Sequence, residues 1–223
     1  MRRAAACLLG VLLPACVPSF PAEDTDGAAW PDEALLNREA PCELDPADSC
    51  GYPEGPYSPT EGQTFPNIQV NNCAGEAVEL AELFQVRPDT GRLNRGVVFA
   101  FGAGWCTSCI TESEHFATLV HEYREPEYDV EFLHFLIEGN FNGSAADANL
   151  CDLWDQGTSE GTYNIWYTPD PNFSYSILPP NTAIPYLYIL DANAHVRYAA
   201  ASLIDDATLE AQIDALVNDP YGP

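Results

Sequence analysis

The chain has 223 residues, and its 34 acidic residues against 8 basic ones give a formal net charge of -26 at pH 7. This length allows one domain with a full hydrophobic core and an additional segment. The negative charge argues against nucleic acid and anionic membrane surfaces as partners, and favours a solvated acidic surface.

Residues 1–15 are predicted to form an export signal. Two arginines precede the apolar stretch 4–13, which is too short to span a bilayer. The sequence Leu13-Pro14-Ala15-Cys16 resembles a bacterial lipobox, and this resemblance implies acylation of Cys16 and a lipid anchor in the membrane. The alternative is ordinary signal cleavage and a soluble secreted protein. In both cases we expect the mature protein outside the cytoplasm, in the bacterial periplasm or cell envelope.

Residues 16–61 are rich in Pro, Gly, Asp and Glu and show no sustained hydrophobic period. Such a composition predicts an acidic, Pro-rich tether rather than a packed domain. The tether would let an anchored domain reach partners at some distance from the membrane.

The eight cysteines are consistent with an oxidising compartment. Four of them, Cys42, Cys50, Cys73 and Cys151, are predicted to form structural disulfides, and three pairings are possible. We favour Cys42–Cys50, which are close within the Pro-rich segment, and Cys73–Cys151, which would tie the first hairpin to the middle helix. Exchange of one of these cysteines with Cys106 is the alternative.

The stretch from residue 62 to 220 is predicted to be one α/β domain. Its predicted elements, in chain order, are a hairpin at 67–70 and 76–80, a helical turn at 80–84, a buried strand at 97–101, a helix at 106–125, a buried strand at 130–137, a helix at 145–156, a looser region at 157–180, a hairpin at 186–190 and 195–200, and a helix at 206–217. This order predicts a central mixed sheet with helices on both faces and an N-terminal β-hairpin.

Two cysteines separated by two residues directly follow the first buried strand and open a helix. The unpaired N–H groups and the dipole at a helix N-terminus favour a thiolate there. We expect Cys106, at the exposed end, to attack a partner disulfide, and Cys109, one turn further in, to resolve the mixed disulfide. The alternative is a fixed structural disulfide.

The chain from about residue 62 to 218 resembles the thioredoxin fold, and specifically the extracytoplasmic TlpA/ResA group of bacteria. The resemblance rests on a strand followed by Gly-x-Gly-Trp105-Cys106-x-x-Cys109, on Glu112, and on Ile184-Pro185 just before the strand 186–190. It implies a thiol–disulfide oxidoreductase that needs no cofactor. Its partners would be protein thiols or disulfides and an upstream electron donor.

The resemblance also implies roles for the residues around the cysteines. Glu112 would exchange protons with the buried sulfur, because helix geometry makes it the nearest acidic residue. Thioredoxin uses an Asp in the strand beneath the site, and Ala100 takes that position here, so Glu112 has no competitor. Trp105 would shield one side of the site. Pro185 would be cis and pack against the sulfurs, and the backbone of Ile184 would bind an extended partner segment. The alternatives are a solvated Glu112 and a trans Pro185.

Ser108 stands where many members of the group carry Pro, and this leaves the direction of exchange open. The resemblance favours a reductase. The four histidines, His115, His121, His134 and His195, form no metal signature, so no metal site is predicted. Two other functions are weighed as alternatives: a peroxiredoxin-like peroxide reductase, and a non-catalytic thioredoxin-fold binding lipoprotein.

Overall fold

The computed structural model describes residues 52–53, 55–85, 94–124, 128–170 and 172–221, without the side chains of residues 175 and 176. The predicted export signal, Cys16 and the Cys42–Cys50 pair therefore lie outside the described residues. Among the described helices, none combines the length and the apolar character needed to cross a membrane.

A mixed sheet of seven strands forms the centre of the described part of the chain. The strands are β1 (Gln69–Asn72), β2 (Ala77–Glu79), β3 (Gly96–Ala103), β4 (Val130–Glu138), β5 (Asn164–Tyr167), β6 (Tyr186–Asp191) and β7 (Val196–Ala201). Their spatial order is β2-β1-β5-β4-β3-β6-β7. Strands β3, β4 and β5 are parallel. The hairpins β1–β2 and β6–β7 join this parallel centre with antiparallel pairing.

Helices cover the sheet on both sides. They are α1 (Thr107–Tyr123), α2 (Ala148–Trp154), α3 (Ser174–Ile177) and α4 (Asp206–Asn218), with a 3-10 helix at Leu80–Phe84 and a π-helical segment at Asp155–Ser159 that continues α2. Apolar residues of α1, α2 and α4 pack on one face. The 3-10 helix, α3 and the segment around Phe65 pack on the other. The predicted α/β class and its N-terminal hairpin are confirmed.

Strand β3 is buried along its whole length because its alternate residues enter two different cores. Val98 and Ala100 face the core beneath α1, whereas Phe99 and Phe101 face the core on the opposite side. This burial on both faces explains the continuous apolar run in the sequence, which lacks polar alternation.

The looser region predicted at 157–180 contains a strand, so that prediction was wrong. β5 pairs in parallel with β4 from Leu133–Asn164 to Leu136–Tyr167, and antiparallel with β1 at two residue pairs. Three of its four residues are buried, so the short run shows no alternation that would mark it as a strand. Its strand conformation comes from the neighbouring strands that flank it.

Packing of the domain begins before the boundary predicted at residue 62. The ring of Tyr52 lies edge-on to Phe84, with 5.4 Å between ring centroids, and only 3 % of Tyr52 is exposed. The Tyr52 hydroxyl donates a hydrogen bond to the Phe65 carbonyl at 2.9 Å. The predicted tether therefore gives way to packed structure by Tyr52.

The segment Glu61–Phe65 lies along the outer edge of the sheet, next to β7. The Val196 N–H donates to the Gln63 carbonyl at 2.9 Å, and the Gly62 N–H donates to the Val196 carbonyl at 2.8 Å. The chain thus covers part of the β7 edge with its own backbone.

A disulfide joins Cys73, in the turn between β1 and β2, to Cys151 in α2. Both sulfur atoms lie 3.5 Å from the Ile165 carbonyl oxygen in β5. This is the pairing favoured from the sequence, and it fastens the N-terminal hairpin to the helix packed beneath it.

Candidate active site

The site lies where β3 ends and α1 begins. Cys106 caps the helix, and its sulfur accepts a hydrogen bond from the Cys109 N–H at 3.2 Å. A disulfide joins Cys106 to Cys109. The Cys106 sulfur therefore lies at the positive end of the helix dipole and already faces one of the unpaired N–H groups of the first turn.

The two cysteines differ in their exposure to solvent. Cys106 keeps 4 % of its surface exposed and Cys109 keeps none. Cys106 is therefore less exposed than the sequence predicts. The Ile184 carbonyl oxygen lies 3.9 Å from the Cys106 sulfur and covers part of it. Of the two cysteines, only Cys106 keeps any exposed surface.

The bond between Ile184 and Pro185 is cis, as the resemblance implies. Pro185 is buried directly before β6, and the half-buried Ile184 packs against both cores. On the other side of Cys106 stands Trp105, which is 43 % exposed. The Trp105 indole N–H donates to Glu138 Oε2 at 2.8 Å, and this bond fixes the ring beside the disulfide.

A groove of about 520 Å³ runs along the surface between Trp105 and Ile184. Its walls include the aliphatic side chain of Leu178 and the prolines at 179 and 180. Glu138 is the one charged residue among the described residues that line it. The groove therefore combines apolar walls with polar side chains and one acidic residue, and two of its lining residues, Trp105 and Ile184, adjoin Cys106.

Glu112 is buried, with 1 % of its surface exposed, so the alternative of a solvated helix residue does not hold. Neither carboxyl oxygen has a hydrogen-bond partner among the described residues. Burial disfavours the charged form and raises the pKa of Glu112 to about 8. A carboxyl group one helical turn from Cys109 thus titrates close to neutral pH.

A hydrogen-bonded cluster next to Glu112 holds α1 against its neighbours. The Trp154 indole N–H donates to Ser113 Oγ at 2.8 Å, and the Tyr163 hydroxyl donates to the Ser113 carbonyl at 2.8 Å. Burial, above all, raises the pKa of Tyr163, so its hydroxyl stays protonated and available as a donor. The cluster keeps this face of α1, and Glu112 with it, in a fixed position.

The site contains a residue to which the sequence analysis gives no catalytic role. His134 lies in β4 opposite Ala100 of β3, and none of its surface is exposed. Burial lowers the pKa of His134 to about 3, so its imidazole is neutral. The signal in the sequence is the pair of small residues, Ala100 and Gly102, which leave room for a ring from the adjacent strand.

No group of three or more His, Cys, Asp or Glu side chains in the described ranges is arranged to hold a metal ion.

No protein family and no curated protein matches the chain. Solved structures do match it. One is a protein from Bacteroides thetaiotaomicron assigned as a protein disulfide isomerase, with 14 % identity and a TM-score of 0.55 over 71 % of this chain and 90 % of that one. Another is a thioredoxin-like protein from Porphyromonas gingivalis, with 16 % identity and a TM-score of 0.53 over 70 % and 94 %.

A third is the thioredoxin domain of a thiol–disulfide oxidoreductase from Bacteroides vulgatus, with 11 % identity and a TM-score of 0.52 over 71 % of this chain and 98 % of that one. The chain has a thioredoxin-like fold. Sequence identities of 11–16 % show the fold alone, so the chemistry of this chain has to be argued from the residues of its own site.

Proposed function

We propose that this protein is an extracytoplasmic thiol–disulfide oxidoreductase that exchanges disulfides with partner proteins, working as a reductase. One observation carries the proposal: in a thioredoxin-like fold, a disulfide lies at the N-terminus of α1, and of its two cysteines Cys106 keeps a small exposed surface whereas Cys109 is fully buried. This unequal exposure assigns different tasks to the two cysteines.

Cys106 carries out the first step. Its thiolate attacks one sulfur of a partner disulfide, the partner S–S bond breaks, and a mixed disulfide forms. The other partner sulfur leaves as a thiolate and takes up a proton from solvent. The Cys109 N–H and the helix dipole support this step, because both stabilise negative charge on the Cys106 sulfur.

Cys109 carries out the second step. It gives up its proton, attacks the Cys106 sulfur and releases the partner as a second thiolate, so that the partner gains two electrons and the Cys106–Cys109 disulfide forms. The ionised form of Glu112 accepts the proton, because its carboxyl group lies one helical turn away and its pKa of about 8 leaves part of the protein with an ionised carboxyl near neutral pH. An upstream dithiol donor then reduces the disulfide again.

In this proposal, the groove next to Trp105 and Ile184 binds an extended segment of the partner protein. Ile184 offers its backbone to the segment, and the apolar wall at Leu178 would take its side chains. The carboxylate of Glu138 favours a segment with a basic residue near its cysteine, and the net charge of -26 would steer such partners to the site.

The cellular location is proposed from the N-terminal sequence. The export signal and the lipobox-like Cys16 support attachment to the bacterial cell envelope. The disulfide between Cys73 and Cys151 also supports an oxidising compartment, because such bonds are rare in the cytoplasm.

Trapping of the mixed disulfide tests the proposal. The reduced protein is incubated with a disulfide-bonded peptide, and the reaction is repeated with Cys109→Ser and with Cys106→Ser. We expect a covalent adduct to accumulate only with Cys109→Ser, because that variant forms the mixed disulfide and cannot resolve it.

The double variant Cys73→Ser and Cys151→Ser is the matched control, since it removes a disulfide outside the groove. It should exchange like the natural sequence and accumulate no adduct. Equally negligible exchange in all the proteins would overturn the proposal and favour a non-catalytic binding protein.

A further inference from the structure

His134 lies directly beside Cys109. A Cβ atom placed on Gly102 would stand 2.4 Å from His134 Nε2 and 2.9 Å from the Cys109 Cβ. The side chains of His134 and Cys109 therefore meet at the place that a side chain of residue 102 would occupy. A larger residue at position 102 would separate them. The absence of a side chain at Gly102 thus allows the imidazole to reach the buried cysteine.

The imidazole is held in place by aromatic contacts. Its ring stacks on Trp154, with 5.2 Å between centroids and 30° between planes, and Phe116 lies edge-on to it at 6.5 Å. Trp154 is itself fixed by its hydrogen bond to Ser113. Since these contacts are fixed, the direction in which the ring nitrogens point is fixed as well.

Neither ring nitrogen of His134 has a hydrogen-bond partner among the described residues while the two cysteines are oxidised. A neutral imidazole carries one N–H donor and one nitrogen that accepts. Buried polar groups almost always find partners, and one that does not raises the free energy of that state. The oxidised protein therefore carries an unfavourable contribution at this position.

Reduction adds a hydrogen-bond donor at this place. Two electrons and two protons convert the disulfide into two thiols, and the Cys109 thiol then carries an S–H group beside His134. We propose that His134 Nε2 accepts a hydrogen bond from the reduced Cys109 thiol, and that this bond raises the reduction potential of the Cys106–Cys109 pair. The proton stays on sulfur, so the step needs no further reactant.

This role rests on the proposed exchange function and deepens it. His134 is a positioning residue that stabilises one redox state, whereas Glu112 moves the proton. Because burial keeps the imidazole neutral, its accepting nitrogen is available across the whole neutral range. A residue that served only for packing would leave the relative stability of the two redox states unchanged.

The reduction potential tests the proposal. The folded protein is equilibrated with glutathione buffers of known ratio at pH 7, and its free thiols are counted after alkylation. His134→Leu removes the acceptor and should shift the equilibrium about tenfold towards the disulfide, which is about 30 mV more negative for a two-electron couple. His134→Gln keeps an acceptor of similar reach, and its equilibrium should stay within about threefold of the natural one. Equal shifts in both variants would show a packing role and overturn the proposal.

A second measurement needs no variant. The chain holds four histidines, so ¹⁵N signals from labelled imidazoles can be assigned. The signal of the His134 accepting nitrogen should move on reduction, while the signal of the half-exposed His195 should not. An unchanged His134 signal would refute the hydrogen bond. If glutathione fails to react with the natural protein, the exchange function fails, yet reduction by a phosphine still prepares both states for this comparison.

Discussion

Replacing Glu112 by Gln should remove a large loss of stability that the natural protein suffers as the pH rises. A glutamate titrates near 4.5 in the unfolded chain, whereas burial raises its pKa to about 8 in the folded protein. Below about pH 4.5 the carboxyl is protonated in both states and contributes no penalty. Between these two pKa values the folded protein holds a proton that the unfolded chain has released.

The size of the effect follows from this difference in pKa. The free energy of unfolding falls by about 1.4 kcal/mol for each pH unit over that range, and the total loss is about 5 kcal/mol once the pH passes about 8. Glutamine is nearly the same shape and does not titrate. A difference between the two proteins should therefore develop from pH 4.5 to 8, with Glu112→Gln the relatively more stable at alkaline pH.

Urea unfolding of the oxidised proteins at pH values from 4 to 9 measures this difference. Other titrating groups are common to both proteins and cancel in the comparison. Glu114→Gln is the matched control, because Glu114 is exposed on the same helix and should give a curve parallel to that of the natural protein. Parallel curves for Glu112→Gln as well would refute the raised pKa of Glu112, on which its proposed role in proton transfer depends.

Three other perturbations have defined outcomes. The double variant Cys73→Ser and Cys151→Ser should lose about 4 kcal/mol of unfolding free energy in urea, because the bond closes a loop with a sequence separation of 78; an unchanged midpoint would contradict its stabilising role. Gly102→Ala should destabilise by about 1–3 kcal/mol in the same assay, because its Cβ would overlap with His134 and Cys109; a variant as stable as the natural protein would show that this contact is loose. Glu138→Gln should slow the reaction with an Arg-flanked peptide disulfide about threefold at low salt, and the difference should vanish near 1 M salt. The stopped-flow rate with a Glu-flanked peptide is the control, and an equal slowing there would contradict charge recognition.

The sequence predicts the parts of the fold whose signals are local. The apolar runs of β3 and β4 and the spacing of apolar residues in α1 indicate their elements within a residue or two at most ends. The strand β5 could not be predicted in this way. Its residues become a strand because β1 and β4 provide partners on both sides, and this pairing depends on contacts distant in sequence.

The residues of the site also differ in whether local sequence or distant packing reveals them. Cys106, Cys109 and Pro185 are indicated by motif and position alone. The spacing of Glu112 places it near the sulfurs, but its burial depends on packing of α1 against side chains distant in sequence, such as Trp154 of α2 and Tyr163, which no local pattern reports. His134 escapes notice for a related reason, because its importance depends on the glycine of a neighbouring strand.

The segment Glu61–Phe65 also has a bearing on how copies of this protein behave when they are crowded. An open sheet edge is a template on which a strand from another molecule can add, and such addition leads to aggregation. Here the chain's own backbone occupies part of one edge, and the opposite edge is the short strand β2, which ends at the acidic Glu79. Among the described residues, the margin of the sheet that is free to pair is thus shortened on both sides, and this should lower the tendency of these molecules to add strand to strand.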